Sequence, residues 1–309
     1  AVFADDDRVA QELVDMKGNL PKLRHIIVMA DQTKVEGVLM LGDLVAIGAT
    51  KRLEMADQLA AARAAVQHDD LLTIVYTSGT TAEPKGVMLT HDNVLSNMHV
   101  VMDVLQVTAD DTFLSVLPAW HMYERMMDYL AMFAGGVLTY TDRRHLKEDL
   151  PRVKPTVFAA VPRVWEILHD GIINHSLKLK GVTGKLLRKG LQLSRQAGGG
   201  KISVMQRVQH KLIDTIVMKK VRAGVFGGRL RLCVSGGGAL PRHVDETFLG
   251  MGMPMRNGYG LTETSPVASI RLPHQREPGH IGPPLPRTRI EARKEDGTPV
   301  PAGETGILW

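Results

Sequence analysis

Thr77-Ser-Gly-Thr-Thr-Ala-Glu-Pro-Lys-Gly86 decides how this chain is read. Four hydroxyl side chains, two glycines and one lysine share ten positions. The apolar run Leu71-Leu-Thr-Ile-Val-Tyr76 leads into it and predicts a buried strand. Glycines let a backbone curl until its N–H groups converge on an anion. Hydroxyls add donors, and Lys85 adds a compact positive charge. The composition suits a polyphosphate. A Walker A loop would need Gly-Lys followed by Ser or Thr, and Pro84-Lys85-Gly86 departs from that ending. The alternative is a surface turn rich in Ser and Thr.

Two later segments extend the pattern. Ser235-Gly-Gly-Gly-Ala-Leu-Pro241 is a glycine turn after the apolar run Leu230–Val234, and Asn257-Gly-Tyr-Gly-Leu-Thr-Glu263 follows it. With the first loop they resemble, in order, the signature motifs of the AMP-forming acyl-CoA synthetase (adenylate-forming) superfamily. Leu117-Pro-Ala-Trp-His-Met-Tyr-Glu-Arg125 and Val161-Pro-Arg-Val-Trp-Glu166 are similar to its long-chain fatty acid-CoA ligase branch. The resemblance runs along nearly the whole chain. The ordered set is highly specific, the first loop alone less so, and the triple glycine alone weak.

The chain has 309 residues, 44% hydrophobic and 23% charged, enough for a large core in two domains or lobes. No apolar run approaches the roughly 20 residues of a bilayer span. Cys233, the single cysteine, excludes an internal disulfide, which fits a reducing, cytoplasmic setting. Its place in an apolar run predicts a buried strand residue. The net charge of +5 is uneven: positions 169–231 carry fourteen Lys and Arg against Asp170 and Asp214. Such a stretch suits peripheral contact with an anionic membrane, an acidic partner or the phosphates of CoA; the alternative is a solvated helix face. Phe226 is its only aromatic ring, which argues against nucleic acid.

Apolar runs alternating with amphipathic stretches predict an α/β fold. Strands are expected at 25–29, 72–76, 113–117, 137–140, 156–161, 230–234 and 254–256. Val94, Leu95, Met98, Val101, Met102 and Leu105 recur at helical spacing after Asp92. Pro241 opens another helix, with Val244, Thr247, Phe248 and Met251 on one face. Ala197-Gly-Gly-Gly200 reads as a flexible loop. Positions 272–288, with five prolines and two glycines, read as an extended connector, and Asp296-Gly297 as a hairpin turn. The resemblance implies two stacked α/β lobes and the beginning of a small β-barrel. The lobes would be 1–117, carrying the phosphate loop, and 118–271, carrying the adenine and acyl sites; 272–309 would be connector and barrel.

The resemblance also implies roles. Thr77, Ser78, Gly79, Thr80, Thr81 and Lys85 would hold the β- and γ-phosphates of ATP. Gly236, Gly237 and Gly238 would approach one face of adenine, and Tyr259, between Gly258 and Gly260, would stack on the other. Asn257 would read the adenine amino group. Thr262 would contact the α-phosphate and Glu263 would hold Mg²⁺. His121 would lie beside the fatty acid carboxylate, and Trp165 would pack the acyl lobe. Adenylation joins two anions, so it needs charge neutralisation and alignment more than proton transfer. The implied activity is ligation of a fatty acid to CoA through acyl-AMP. Alternatives are an acyl-AMP ligase loading a carrier protein, or a nucleotide- or acyl-binding module without turnover.

Two departures stand out. Ala82 occupies a position where the family usually has glycine, so a Cβ would strain the loop if that position needs positive φ. In addition, the family's ribose-binding Asp, hinge and C-terminal lid domain with an adenylation lysine come later than Gly303-Glu-Thr-Gly-Ile-Leu-Trp309. Ala1-Val-Phe3 in turn reads as a mid-domain strand. The expectation is a part of a longer enzyme, the lid domain absent, and the part alone inactive.

Overall fold

The computed structural model describes residues 1–77 and 83–309. Ser78, Gly79, Thr80, Thr81 and Ala82, most of the expected phosphate loop, lie outside the described residues. The chain forms two compact units, 1–67 and 68–309.

In the first unit β1 (Val2–Ala4), β2 (Ile26–Val28) and β3 (Leu39–Met40) make a parallel sheet in that order. α1 (Asp7–Met16) connects β1 to β2 and starts where the Asp6 carboxylate accepts the Val9 amide at 2.9 Å. Ala4, Ala10, Ile26 and Val28 form its core. α2 (Leu41–Lys51) and α3 (Ala56–Ala65) bury no residue.

The second unit opens with the antiparallel pair β4 (Leu71–Thr77) and β5 (Lys85–Thr90). Thr90 and Asn93 cap α4 (His91–Leu105) reciprocally, the Thr90 hydroxyl accepting the Asn93 amide at 3.2 Å. The cap places the start one residue before Asp92. Val94, Met98, Val101 and Leu105 are buried, as their spacing predicts.

A six-stranded sheet follows, ordered β11-β10-β9-β8-β6-β7. Its strands are β6 (Thr112–Ser115), β7 (Val137–Tyr140), β8 (Val157–Ala160), β9 (Leu232–Ser235), β10 (Met255–Gly260) and β11 (Val267–Ile270). All neighbours pair in parallel except β10 and β11. Every residue of β8 and β9 is buried, because helices cover both faces. Alternate side chains feed two cores. Val157, Ala159, Leu232 and Val234 meet α4 and α5 (Met122–Ala134). Phe158, Ala160 and Cys233 face the other layer: α6 (Leu146–Val153), α7 (Pro162–Lys178), α8 (Gly181–Gly198), α10 (Lys219–Phe226) and α11 (Arg242–Gly250). Burial pushes the Cys233 thiol well above its usual range.

All seven expected strands form, β7 with the expected ends and the others with shifted ones; the burial expected of the strand at 71–76 is corrected, since Val75 alone is buried in β4. α11 starts directly after Pro241 and buries Val244, Thr247 and Phe248, with Met251 just beyond it. The expected loop at 197–200 is corrected, since α8 continues through Gly198. A Cβ at Gly198 would lie 1.8 Å from the Glu246 carbonyl oxygen, and one at Gly250 would lie 1.7 Å from that of Ser194. These glycines therefore serve the close approach of α8 and α11. The expected lobe boundary after residue 117 falls just past β6, which shares its sheet with β7 through β11 beyond that point.

α9 (Val204–Ile213) leads into α10 through one widened π turn, Asp214–Met218. The connector at 272–288 runs beside β11, with the Leu285 amide donating to Ala268 at 2.8 Å. β12 (Ala292–Arg293) and β13 (Ile307–Leu308) pair antiparallel. The turn at Asp296-Gly297 is closed by the Lys294 amide donating to Thr298 at 2.8 Å.

Candidate active site

Strand order reverses at β6. The chain leaves it through α5 to β7 on one side, then returns through α6 to β8 on the other. A crevice beyond the carboxyl ends of the strands is expected at such a switch point. A cavity of about 710 Å³ lies there. Val116–Pro118 after β6, Val161 after β8, Ser235–Gly237 at the end of β9, Gly258–Gly260 at the end of β10 and Leu261 and Thr262 just after it all line it.

The cavity brings together His121, Gly236, Gly237, Gly258, Tyr259, Gly260 and Thr262 from the sequence-derived set. His121 immediately precedes α5, with its ring 6.0 Å from that of Trp120. Gly236 faces Tyr123, where an added Cβ would lie 3.3 Å from the phenol ring. The Tyr123 hydroxyl donates to the Val234 carbonyl at 3.1 Å, and the buried Trp165 indole donates to the same oxygen at 3.2 Å. Trp165 thus packs the core edge-on between Phe158 and Phe248.

Gly238, Asn257, Glu263, Thr77 and Lys85 are not among the lining residues. Gly238 sits beside Pro162. Asn257 is buried in register with Ser235, its amide 3.5 Å from the His280 carbonyl. Glu263 is exposed and faces a smaller cleft of about 180 Å³ beside Asn93, Asn97 and Arg287. Thr262 lines the main cavity and Glu263 the smaller cleft, both on the short turn Thr262–Thr264. Thr264 holds that turn by accepting the Leu261 amide at 2.8 Å and donating to Pro266 at 2.6 Å. Asn97 of α4 donates to Val267 at 2.7 Å. Thr77 and Lys85 form the last pair of the β4–β5 ladder, and β5 packs beside the Thr262–Thr264 turn.

Sequence reasoning gave no role to Tyr123, Arg143 or Arg163, all of which line the cavity. Arg163 pairs with Glu166 at 2.9 Å on α7. The available signal was position, since Arg143 and Arg163 each follow the carboxyl end of a parallel strand. Glu124 was also missed. It is buried, and one carboxylate oxygen accepts the Ser115 hydroxyl at 2.5 Å and the Val116 amide at 3.1 Å. Burial pushes it up to about 7 against the Ser115 bond, and the charge of Asp128 acts in the same upward direction.

Two buried polar atoms bear on a nucleotide. The Ser235 hydroxyl and the Asn257 Oδ1 have no hydrogen-bond partner among the described residues. An unpaired amide acceptor beside a glycine turn suits the exocyclic amine of adenine, and the apolar side chains Leu117, Met122, Val161 and Val164 suit a hydrocarbon chain. Among the described residues no group of three or more His, Cys, Asp or Glu could hold a metal alone. Glu263 offers one exposed carboxylate at the smaller cleft. No helix among the described residues is long and apolar enough to cross a membrane.

The AMP-binding enzyme family model matches residues 1–309. The long-chain-fatty-acid–[acyl-carrier-protein] ligase AEE15 of Arabidopsis thaliana is 33% identical over 79% of this chain and 37% of its own length. Long chain acyl-CoA synthetase 3 of the same plant is 30% identical over 96% of this chain and 46% of its length. The chain thus spans less than half the length of these relatives. The ATP-bound structure of MatB from Rhodopseudomonas palustris superposes with a TM-score of 0.54, at 25% identity over 78% of this chain and 39% of that one. Matched by that model along its whole length, the chain belongs to the AMP-binding enzyme family.

Proposed function

We propose that the full-length protein is an AMP-forming long-chain fatty acid ligase that converts a fatty acid and ATP to acyl-AMP and then passes the acyl group to CoA. The observation that carries this is one cavity in which a glycine turn, Tyr259–Thr262 and His121 meet a largely apolar wall. Adenine would lie between Gly236–Gly238 and Tyr259, with its amine at Asn257 Oδ1. Thr77, Lys85 and the residues between them would hold the β- and γ-phosphates, and Thr262 the α-phosphate. Glu263 would hold Mg²⁺, which supplies charge neutralisation on the phosphates.

The reacting carboxylate and phosphate repel each other. His121, Arg143 and Arg163 stand at the cavity to orient the carboxylate and offset that charge, so an oxygen of the fatty acid can attack the α-phosphorus in line as pyrophosphate leaves. Thioester formation then expels AMP from the mixed anhydride. The lone buried Cys233 agrees with a cytoplasmic setting. Transfer to a carrier protein is the second reading, favoured by the similarity to AEE15.

Pyrophosphate exchange by the full-length protein across a series of carboxylates tests the first half-reaction. Exchange dependent on long-chain fatty acids is expected, and none with any carboxylate would overturn the reading. Offering CoA and acylatable carrier protein in parallel then assigns the acceptor.

A further inference from the structure

A second cavity, of about 670 Å³, opens between α6, α7, α8, α10 and the π turn. Its walls are apolar, including Leu168, Ile172, Leu187, Val217 and Val225. The charged or titratable groups among its lining residues are Lys147, His175 and Lys220, and no Asp or Glu lines it. Neither lysine has an ion-pair partner among the described residues. Apolar walls with unpaired cations and no acid complement an amphiphile that has a hydrocarbon tail and an anionic head.

Two further features keep this space open. Gly171 in α7 and Gly224 in α10 both line the cavity, and a Cβ added at either would meet nothing within 4 Å. Glycine is a poor helix former, and here no neighbour's close approach requires it. Its effect at both sites is to leave volume inside the cavity. The π turn contributes Ile216 and Val217 to the wall. Such widened turns are uncommon and recur at functional sites.

We infer that this cavity is a separate lipid site that binds one long-chain carboxylate, tail among the helices and head at Lys147 and Lys220. The inference goes beyond the ligase reading and does not depend on it. Ile167 borders both this cavity and the one at the sheet edge, so α7 forms a wall common to the two.

The test is the binding of palmitate labelled with ¹³C at the carboxylate to the full-length protein, followed by NMR and calorimetry without ATP. A bound carboxylate signal is expected that Gly171→Leu and Gly224→Leu each abolish. Both substitutions favour the helix, and an unchanged or raised Tm confirms folding. Lys147→Ala with Lys220→Ala should weaken that signal's affinity about tenfold, and hexadecanol should compete poorly. Unchanged palmitate binding in both leucine variants overturns the inference. A single equivalent that adenylate analogues displace assigns the tail to the sheet-edge site and also overturns it. Vesicles of phosphatidylserine bound in a glycine-dependent way, with no free palmitate bound, would give the surface to a bilayer instead.

Discussion

Arg271 and Asp245 form a doubly hydrogen-bonded ion pair, at 2.6 and 2.8 Å, with neither side chain exposed. Asp245 lies on α11 and Arg271 directly follows β11, so the pair ties a helix to the sheet beside the Asn257–Gly260 strand. Asp245 also accepts the Gly279 amide at 2.9 Å, and Arg271 donates to the Met255 and Glu277 carbonyls at 3.1 Å each. Breaking one partner leaves a buried charge uncompensated.

Asp245→Ala is therefore expected to cost about 3–5 kcal/mol of stability. Urea unfolding measures it. Glu12→Ala, which removes the exposed partner of Arg8, should leave the midpoint nearly unchanged. Equal small effects from both would contradict the role given to the buried pair.

Glu124 makes stability fall with rising pH. Its folded value of about 7 lies above the ordinary 4.5, so the native state holds its proton more tightly than the unfolded chain does. Stability is fully present below pH 4.5, declines between 4.5 and about 7, and levels off above that. The decline is on the order of 3 kcal/mol at most, from 1.36 kcal/mol per pH unit. Glu124→Gln keeps the acceptor for Ser115 and Val116 and should flatten this limb in thermal unfolding across pH. A limb of unchanged slope in the variant would assign it to other groups.

Lys85→Ala and Glu263→Ala in the full-length protein should each slow fatty-acid-dependent pyrophosphate exchange by about 30-fold or more, the usual consequence of losing about 2–4 kcal/mol of transition-state stabilisation. Wild-type exchange in both variants would falsify their placement on the phosphate side.

A methyl group at Gly260 would sit 1.8 Å from the Pro266 carbonyl oxygen, whereas one at Gly258 would come no closer than 3.5 Å to any neighbour. Gly260→Ala should lose about 1–3 kcal/mol by overpacking. It should also weaken ATP binding, since Tyr259 and Thr262 ride on the displaced backbone. Calorimetric titration with ATP, Gly258→Ala serving as control, separates this local effect from a general intolerance of alanine on β10.

The strands, the buried row of α4 and the face of α11 were legible because each depends on periodicity within a few residues of itself. The same holds for the glycine turn that ends β9. That the glycine turn meets Tyr259 and His121 in one cavity was legible only through the resemblance, since nothing local says that β6 is where the sheet order reverses. The expected loop at 197–200 failed for a related reason: Gly198 reads as a breaker by itself, yet it lies in a helix because the backbone of α11 presses against it.

Sequence by itself therefore determined the α/β class and the buried place of Cys233. Tertiary structure alone decided that Thr262 and Glu263 face different clefts, that Tyr123 backs Gly236, and that Arg271 finds Asp245. It alone opened a cavity between Gly171 and Gly224. The physical reason is that propensity and hydrophobic period act along the chain. Desolvation of a charge and the volume left between helices depend on which distant surfaces come to face each other.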